Sequence, residues 1–163
     1  MNDNDRRSNK NVSLYLKKHF SVSAVASTIA INLLPLVAQA EEIIMIGDRE
    51  IEVTIAETRQ EQAKGLQGTT SLPDSKGMLF VFEPARKVCF WMKGTPIDLD
   101  VGFFDQNNRL IKVDFMQANM LDLHCSPTPI SYALETSAGW FNRYKVSLGS
   151  QLKRPQQAHA DAQ

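Results

Sequence analysis

The chain has 163 residues, with 18 Lys and Arg against 18 Asp and Glu, 43% hydrophobic residues and eight glycines. That is the size of one domain, too apolar for wholesale disorder and too poor in glycine for a collagen-like repeat. The neutral sum hides an asymmetry, because positions 1–20 carry five basic and two acidic residues, leaving 13 basic against 16 acidic, a net charge of −3, in residues 41–163. A mildly acidic body without a basic stripe excludes a nucleic acid as the expected partner.

Residues 1–20 are polar and basic, Val22 to Val37 are apolar apart from Ser23, Ser27, Thr28, Asn32 and Pro35, and Ala38-Gln39-Ala40 follows. Basic, apolar, then small-x-small is the layout of a secretory signal peptide. The apolar stretch is shorter than the roughly 20 residues of a spanning helix, so removal of residues 1–40 before Glu41 is expected, with membrane contact only during export. The expected location is periplasmic or secreted.

Ile43 to Ile46 and the alternating Ile51, Val53 and Ile55 read as two strands joined at Gly47-Asp48, since glycine takes the positive φ of a tight turn. Thr58 to Glu61 is a capping box opening a short helix that Gly65 can close. Leu66 to Lys76 is rich in Gly, Thr, Ser, Pro and Asp and reads as a surface loop. Met78 to Phe82 and Val88 to Met92 read as a hairpin turning at Glu83-Pro84-Ala85-Arg86. Leu99, Val101 and Phe103 alternate into a third hairpin, whose turn Asp105-Gln106-Asn107-Asn108 leads into Arg109 to Phe115. Met116 to Ile130 shows no period, Tyr132 to Glu135 forms another strand, Val146 to Leu152 a last one, and residues 153–163 make a flexible polar tail. Many short strands, regular turns and one short helix predict a mainly β domain over residues 41–152, an antiparallel sandwich or barrel.

Gly77-Met78-Leu79-Phe80-Val81-Phe82, Phe90-Trp91-Met92-Lys93-Gly94-Thr95 with Asp100, and Tyr132-Ala133-Leu134-Glu135 with Ala138-Gly139 together resemble the bacterial family called domain of unknown function 192. Thr58, Glu61 and Gly65-Leu66 fit the family's opening motif. The resemblance implies a compact, jelly-roll-like β-sandwich, often exported, with no established activity. Gly94, Asp98 and Thr69 depart from the Asn, Pro and Arg usual in that family.

Cys89 and Cys125 are the only cysteines. In an oxidising compartment a disulfide is the default expectation, and it would hold the stretch without period against the Val88 to Met92 strand. A buried Cys89 with an exposed, unpaired Cys125 is the alternative. His124 beside Cys125 has no histidine partner within the body of the chain, so neither a metal nor a cysteine nucleophile is expected, and no cofactor. Asp98 and Asp100, two apart on a strand, share one face about 6.8 Å from each other. With Lys93, Thr95 and Glu135 they could line a polar binding patch, the alternative being an ordinary solvated strand face. Phe90, Trp91, Phe103, Phe104, Trp140 and Phe141 read first as core, with an exposed lip at Trp140-Phe141 after Gly139 as the alternative. The expected function is an exported envelope binding or accessory domain for a glycan or protein. A glycan hydrolase using Asp100 and Glu135 is the alternative, which requires one pocket holding both carboxyls with one pKa raised. A purely structural partner domain of an envelope complex is the third reading.

Overall fold

The computed structural model describes residues 41–155, and the expected signal peptide lies outside the described residues. The elements, in chain order, are β1 (Glu41–Ile46), β2 (Arg49–Ala56), α1 (Arg59–Lys64), β3 (Lys76–Arg86), β4 (Cys89–Phe90), β5 (Leu99–Phe104), β6 (Leu110–Met116), β7 (His124–Cys125), β8 (Ile130–Ser137), α2 (Trp140–Arg143) and β9 (Leu152–Lys153). Mainly β is therefore right, with two short helices instead of one.

β1 and β2 form the expected hairpin, Ile44 opposite Ile51 and Ile46 opposite Arg49, across Gly47 with φ +59°. At α1 the backbone N–H of Glu61 donates to Thr58 Oγ1 at 3.2 Å and the N–H of Thr58 donates to Glu61 Oε2 at 2.8 Å. This reciprocal capping satisfies donors that a two-turn helix cannot pair internally. The helix and the loop after it then carry the chain back to the start of β2, so that β3 pairs with β2 in parallel, Glu52 opposite Lys76 and Ala56 opposite Phe80. The antiparallel expectation fails at this pair. A helix plus a long loop is a crossover, and a crossover of a dozen or more residues lets the next strand run in the same direction.

The expected hairpin at Glu83 to Arg86 does not form, because β3 runs eleven residues through Pro84 to Arg86. Pro84 falls in the irregular stretch between the Val81–Tyr132 and Arg86–Ile130 pairings with β8, where a missing N–H removes no regular ladder bond. β4 instead pairs with β7 in a separate two-stranded ribbon, Cys89 opposite Cys125. The third hairpin forms as expected, with Asn108 at φ 60° and the N–H of Asp105 donating to the carbonyl of Arg109 at 2.9 Å.

The main sheet has seven strands in the order β6-β5-β8-β3-β2-β1-β9. Its two edges approach where Arg109 bridges Gln151 and the N–H of Leu110 donates to Ser150 at 2.9 Å. The result is one curled sheet, a half-barrel, where two facing sheets were expected. Its inner face buries Ile44, Ile46, Ile51, Val53, Leu79, Phe104, Leu134 and Leu152. Its outer face, along β3, β8 and β5, buries Phe80, Phe82, Val101, Phe103 and Ala133 under half-buried Leu66, Leu72, Val88 and Phe90. All six residues of β5 are consequently buried.

α2 plugs the inner face. Trp140 is 0% exposed and donates its indole N–H to the carbonyl of Asp74 at 2.8 Å, so it is core, and neither the alternative lip nor a place in the binding patch is found. Phe141 lies directly over Gly102, where any Cβ would collide with its ring. Asp74 fixes the helix from the loop side, accepting from Ser137 Oγ at 2.5 Å and from Arg143 Nη2 at 2.7 Å. The fold also extends past residue 152. Lys153 pairs with Met45, and Arg154 donates to Glu42 Oε2 at 2.7 Å, drawing into the sheet two residues expected in the tail.

A cavity above a lone buried carboxyl

The side chains of strand partners lie on the same face, and successive residues alternate. Glu135 pairs with both Val101 and Met78, so it projects from the outer face. Asp100 pairs with Thr136 and Phe115, so it projects from the inner face. The two carboxyls are therefore on opposite sides of the sheet, and one substrate bond cannot lie between them. Asp98 is separated from Asp100 as well. It sits before β5, exposed, and its Oδ1 accepts from the N–H of Ala118 at 2.8 Å. The polar patch expected from Asp98, Asp100, Lys93, Thr95, Glu135 and Trp140 is thus dispersed, and only Thr95 and Glu135 share a cavity.

That cavity, of about 350 Å³, lies between α1 and the segment Val88 to Thr95. Phe80, Phe82, Phe90 and Trp91 supply aromatic walls, Thr95 a buried side chain, and Lys64 and Arg86 the cations at its exposed margin. Phe90 stands edge-on to Phe80 at 4.9 Å and to Phe103 at 5.9 Å, which fixes this wall to the outer core. Gly65, at φ +47°, ends α1 immediately above Phe80 and Glu135, and its backbone N–H donates to Glu61 at 2.8 Å. A side chain there would be strained by the positive φ and would point at the Phe80 ring.

Glu135 forms the floor. It is 4% exposed and its Oε2 is buried without a hydrogen-bond partner; the hydroxyl of Thr136, on the opposite face, is the other such atom among the described residues. Burial alone pushes the Glu135 carboxyl up to about 8, so it is protonated at neutral pH. Asp100 is 5% exposed, and burial also raises its pKa, but the backbone N–H groups of Gly139, Phe141 and Trp140 and the charge of Arg143 pull the other way.

The margin is organised by Gln62. Its Nε2 donates to the carbonyls of Val81 at 2.7 Å and Glu57 at 3.1 Å, fastening α1 to β3. Its Oε1 then accepts from Arg86 Nη2 at 2.7 Å, while the Arg86 guanidinium lies over the Phe82 ring at 4.9 Å. Arg86 is thereby held in place without a carboxylate partner among the described residues. Lys93, expected in the patch, stacks instead on the exposed Trp91 ring at 5.4 Å.

Cys89 and Cys125 form a disulfide with a Cα–Cα distance of 4.0 Å. Around it, the N–H of Met92 donates to Met120 and that of Asn119 to Thr95, both at 3.0 Å, and the N–H of Ser126 donates to Val88 at 2.9 Å. The irregular stretch is thus tied to the cavity wall. His124 is 3.6 Å from Asp114, and no group of three His, Cys, Asp or Glu side chains stands together among the described residues.

The sequence named Glu135 and Thr95 but missed Gln62, Arg86, Phe90 and Trp91 as their neighbours. The one available signal was that Phe90-Trp91 lies in the same motif as Thr95, four residues on. Gln62 and Arg86 reach the cavity only through the parallel β2–β3 crossover.

Two solved structures share the fold. One, from Sinorhizobium meliloti 1021 and named as a candidate transcription regulator, is 27% identical, with 72% of this chain and 96% of that chain covered and a TM-score of 0.70. The other, from Novosphingobium aromaticivorans DSM 12444 and described as a protein of unknown function, is 25% identical, with 74% and 89% covered and a TM-score of 0.70. No curated protein matches. The family model described as "Uncharacterized ACR, COG1430" matches residues 42–154, nearly every residue that builds the curled sheet and its cavity, and the chain belongs to that family, domain of unknown function 192.

Proposed function

We propose that this chain is an exported envelope protein whose folded part is a small binding domain, with its ligand site in the cavity over Glu135. One observation carries the binding reading: a carboxyl nine-tenths buried, its Oε2 unpartnered, at the base of a cavity large enough for a small molecule. Burying such a group unpaired costs stability, and its retention is accounted for by a ligand that supplies the missing partner. The export reading is supported by the basic, apolar and small-residue order of residues 1–40. Separation of Asp100 from Glu135 removes the two-carboxylate arrangement of a glycan hydrolase, so binding without turnover is favoured. A net charge of −3 over residues 41–163 speaks against nucleic-acid binding by this chain.

Native mass spectrometry of the protein recovered from cells tests both halves. The expected product begins at Glu41 and retains a small molecule, and Ala63→Trp, which blocks the cavity margin from the exposed side of α1, loses it. An intact N-terminus would refute export. No mass bound beyond the polypeptide's own in the wild type, or the same bound mass on both proteins, with no ligand-induced thermal shift in the wild type, would refute the binding site.

A further inference from the structure

We propose that the cavity takes a small zwitterion, with its ammonium group on Glu135 at the floor and its anionic group on Arg86 at the margin. The inference rests on the binding reading above and adds the ligand's chemistry.

The cavity has opposite chemical character at its two ends. Among the described residues, Glu135 is the only acidic side chain that lines it, and Lys64 and Arg86 are the only cations. Glu135 lies deep and Lys64 and Arg86 are exposed, so acid is at the base and cation at the opening. An ammonium reaching the Glu135 carboxyl, whose Oε2 now has no partner, would form a charge-assisted hydrogen bond, and in a low-dielectric site that contact is strong. Phe80, Phe82, Phe90 and Trp91 line its path, and an aromatic lining favours a cation that has left water.

A ligand carrying only a positive charge must pass and then sit beneath Arg86 and Lys64. A ligand carrying only a negative charge meets no cation at the base. Arg86 supplies what the outer end of a zwitterion needs. Its guanidinium has five N–H donors, one nitrogen is committed to Gln62 Oε1 and its face is committed to Phe82, so the remaining donors are available in a fixed direction. Gln62 is itself fixed by its carbonyl partners on β3 and before α1, so the Arg86 fork is organised before any ligand arrives. Entry of the ammonium ionises Glu135, and the proton it releases goes to solvent. Apart from Glu135, the titratable side chains lining the cavity among the described residues are Lys64 and Arg86, and Cys89 is held in the disulfide.

The test uses three probes of matched shape on residues 41–163 in the oxidised form: 4-(aminomethyl)benzoate, benzylamine and 4-methylbenzoate. Trp91, half exposed on the cavity wall, reports binding by fluorescence, and calorimetry at pH 7 in two buffers of different ionisation enthalpy counts protons. The zwitterion is expected to bind at least about tenfold more tightly than either single-charge probe, with release of up to one proton. Glu135→Gln should weaken the zwitterion and benzylamine by about tenfold or more and leave 4-methylbenzoate unchanged. Arg86→Gln should weaken the zwitterion and 4-methylbenzoate but not benzylamine. Tightest binding by 4-methylbenzoate, or wild-type binding of the zwitterion without proton release, would overturn the proposal even if a variant failed to fold. If none of the probes binds while Ala63→Trp still abolishes retention of a cellular ligand, the zwitterion assignment fails and the binding site stands. If neither is seen, both fail.

Discussion

Asp100 and Glu135 stand on adjacent strands one residue pair apart, and both are almost completely buried, yet the sheet treats them differently. On the inner face, the turn into α2 directs three backbone N–H groups and the charge of Arg143 at Asp100, so that its carboxyl is satisfied by the protein although it borders a hollow beside Phe141. On the outer face, Glu135 has no hydrogen bond from Oε2 and an open cavity above it. A buried carboxyl that the protein satisfies is part of the scaffold. One that it leaves unsatisfied beside open space is directed at something else. On the proposed reading, the inner face is structural and the outer face is the one that meets a ligand.

The largest test of this division is to break the inner face. Trp140→Ala removes a fully buried ring and its hydrogen bond to Asp74, and should lower unfolding free energy by about 3–5 kcal/mol in urea titration. A loss below about 1 kcal/mol would mean that α2 is peripheral. On the outer side, Cys89→Ala with Cys125→Ala opens a loop spanning a sequence separation of 36 residues. The chain-entropy argument sets that loss at about 4 kcal/mol, less any strain. Because the bridge ties the cavity wall, the double variant should also broaden amide signals of residues 117–125 selectively; uniform broadening would contradict a local role.

The pH dependence distinguishes the faces more finely. Glu135 keeps its proton up to about 8 when folded but releases it near 4.5 when unfolded. Its contribution to stability is therefore full below about 4.5 and falls as pH rises towards 8, by about 1.4 kcal/mol per unit over that window. Glu135→Gln should flatten this slope in denaturation measured from pH 5 to 8. An unchanged slope would place its cause elsewhere. Asp100, also raised, acts in the same direction above its ordinary 3.8, whereas Asp74, held low by Ser137 and Arg143, adds stability as pH rises. Gly102→Ala, which drives a methyl group into Phe141, should cost about 1–3 kcal/mol while leaving the outer cavity and its ligands unaffected. The smallest effect is expected at the helix that roofs the cavity, where Thr58→Ala removes one cap and about 1 kcal/mol.

Local chemistry made several parts of this fold legible in the sequence. The Gly47 turn, the Thr58 to Glu61 cap and the Asp105 to Asn108 turn each depend on residues within a few positions, and each is where it was expected. The elements misread depend on distant partners. Pro84 marks a turn only if the strand has ended, and β8 extends β3 beyond it. Trp140 reads as core from its residue type, but a lip stays open as the alternative, and its placing in the binding patch stands, until the curled sheet supplies a hollow to fill. Asp100 and Glu135 occur in recognisable motifs, but which face each occupies is set by the pairing register of β5 with β8, and a shift of one residue would have reversed the answer. The cavity was hidden for the same reason, since Gln62, Arg86 and Phe90 meet only after β3 returns alongside β2.

The most direct measurement is a carbon-13 NMR titration of the Glu135 side-chain carboxyl, free and with 4-(aminomethyl)benzoate. The account predicts a midpoint near 8 in the free protein and an ionised carboxylate at pH 7 once the probe is bound. A carboxyl that titrates near its ordinary 4.5, and does not respond to the probe, would contradict it.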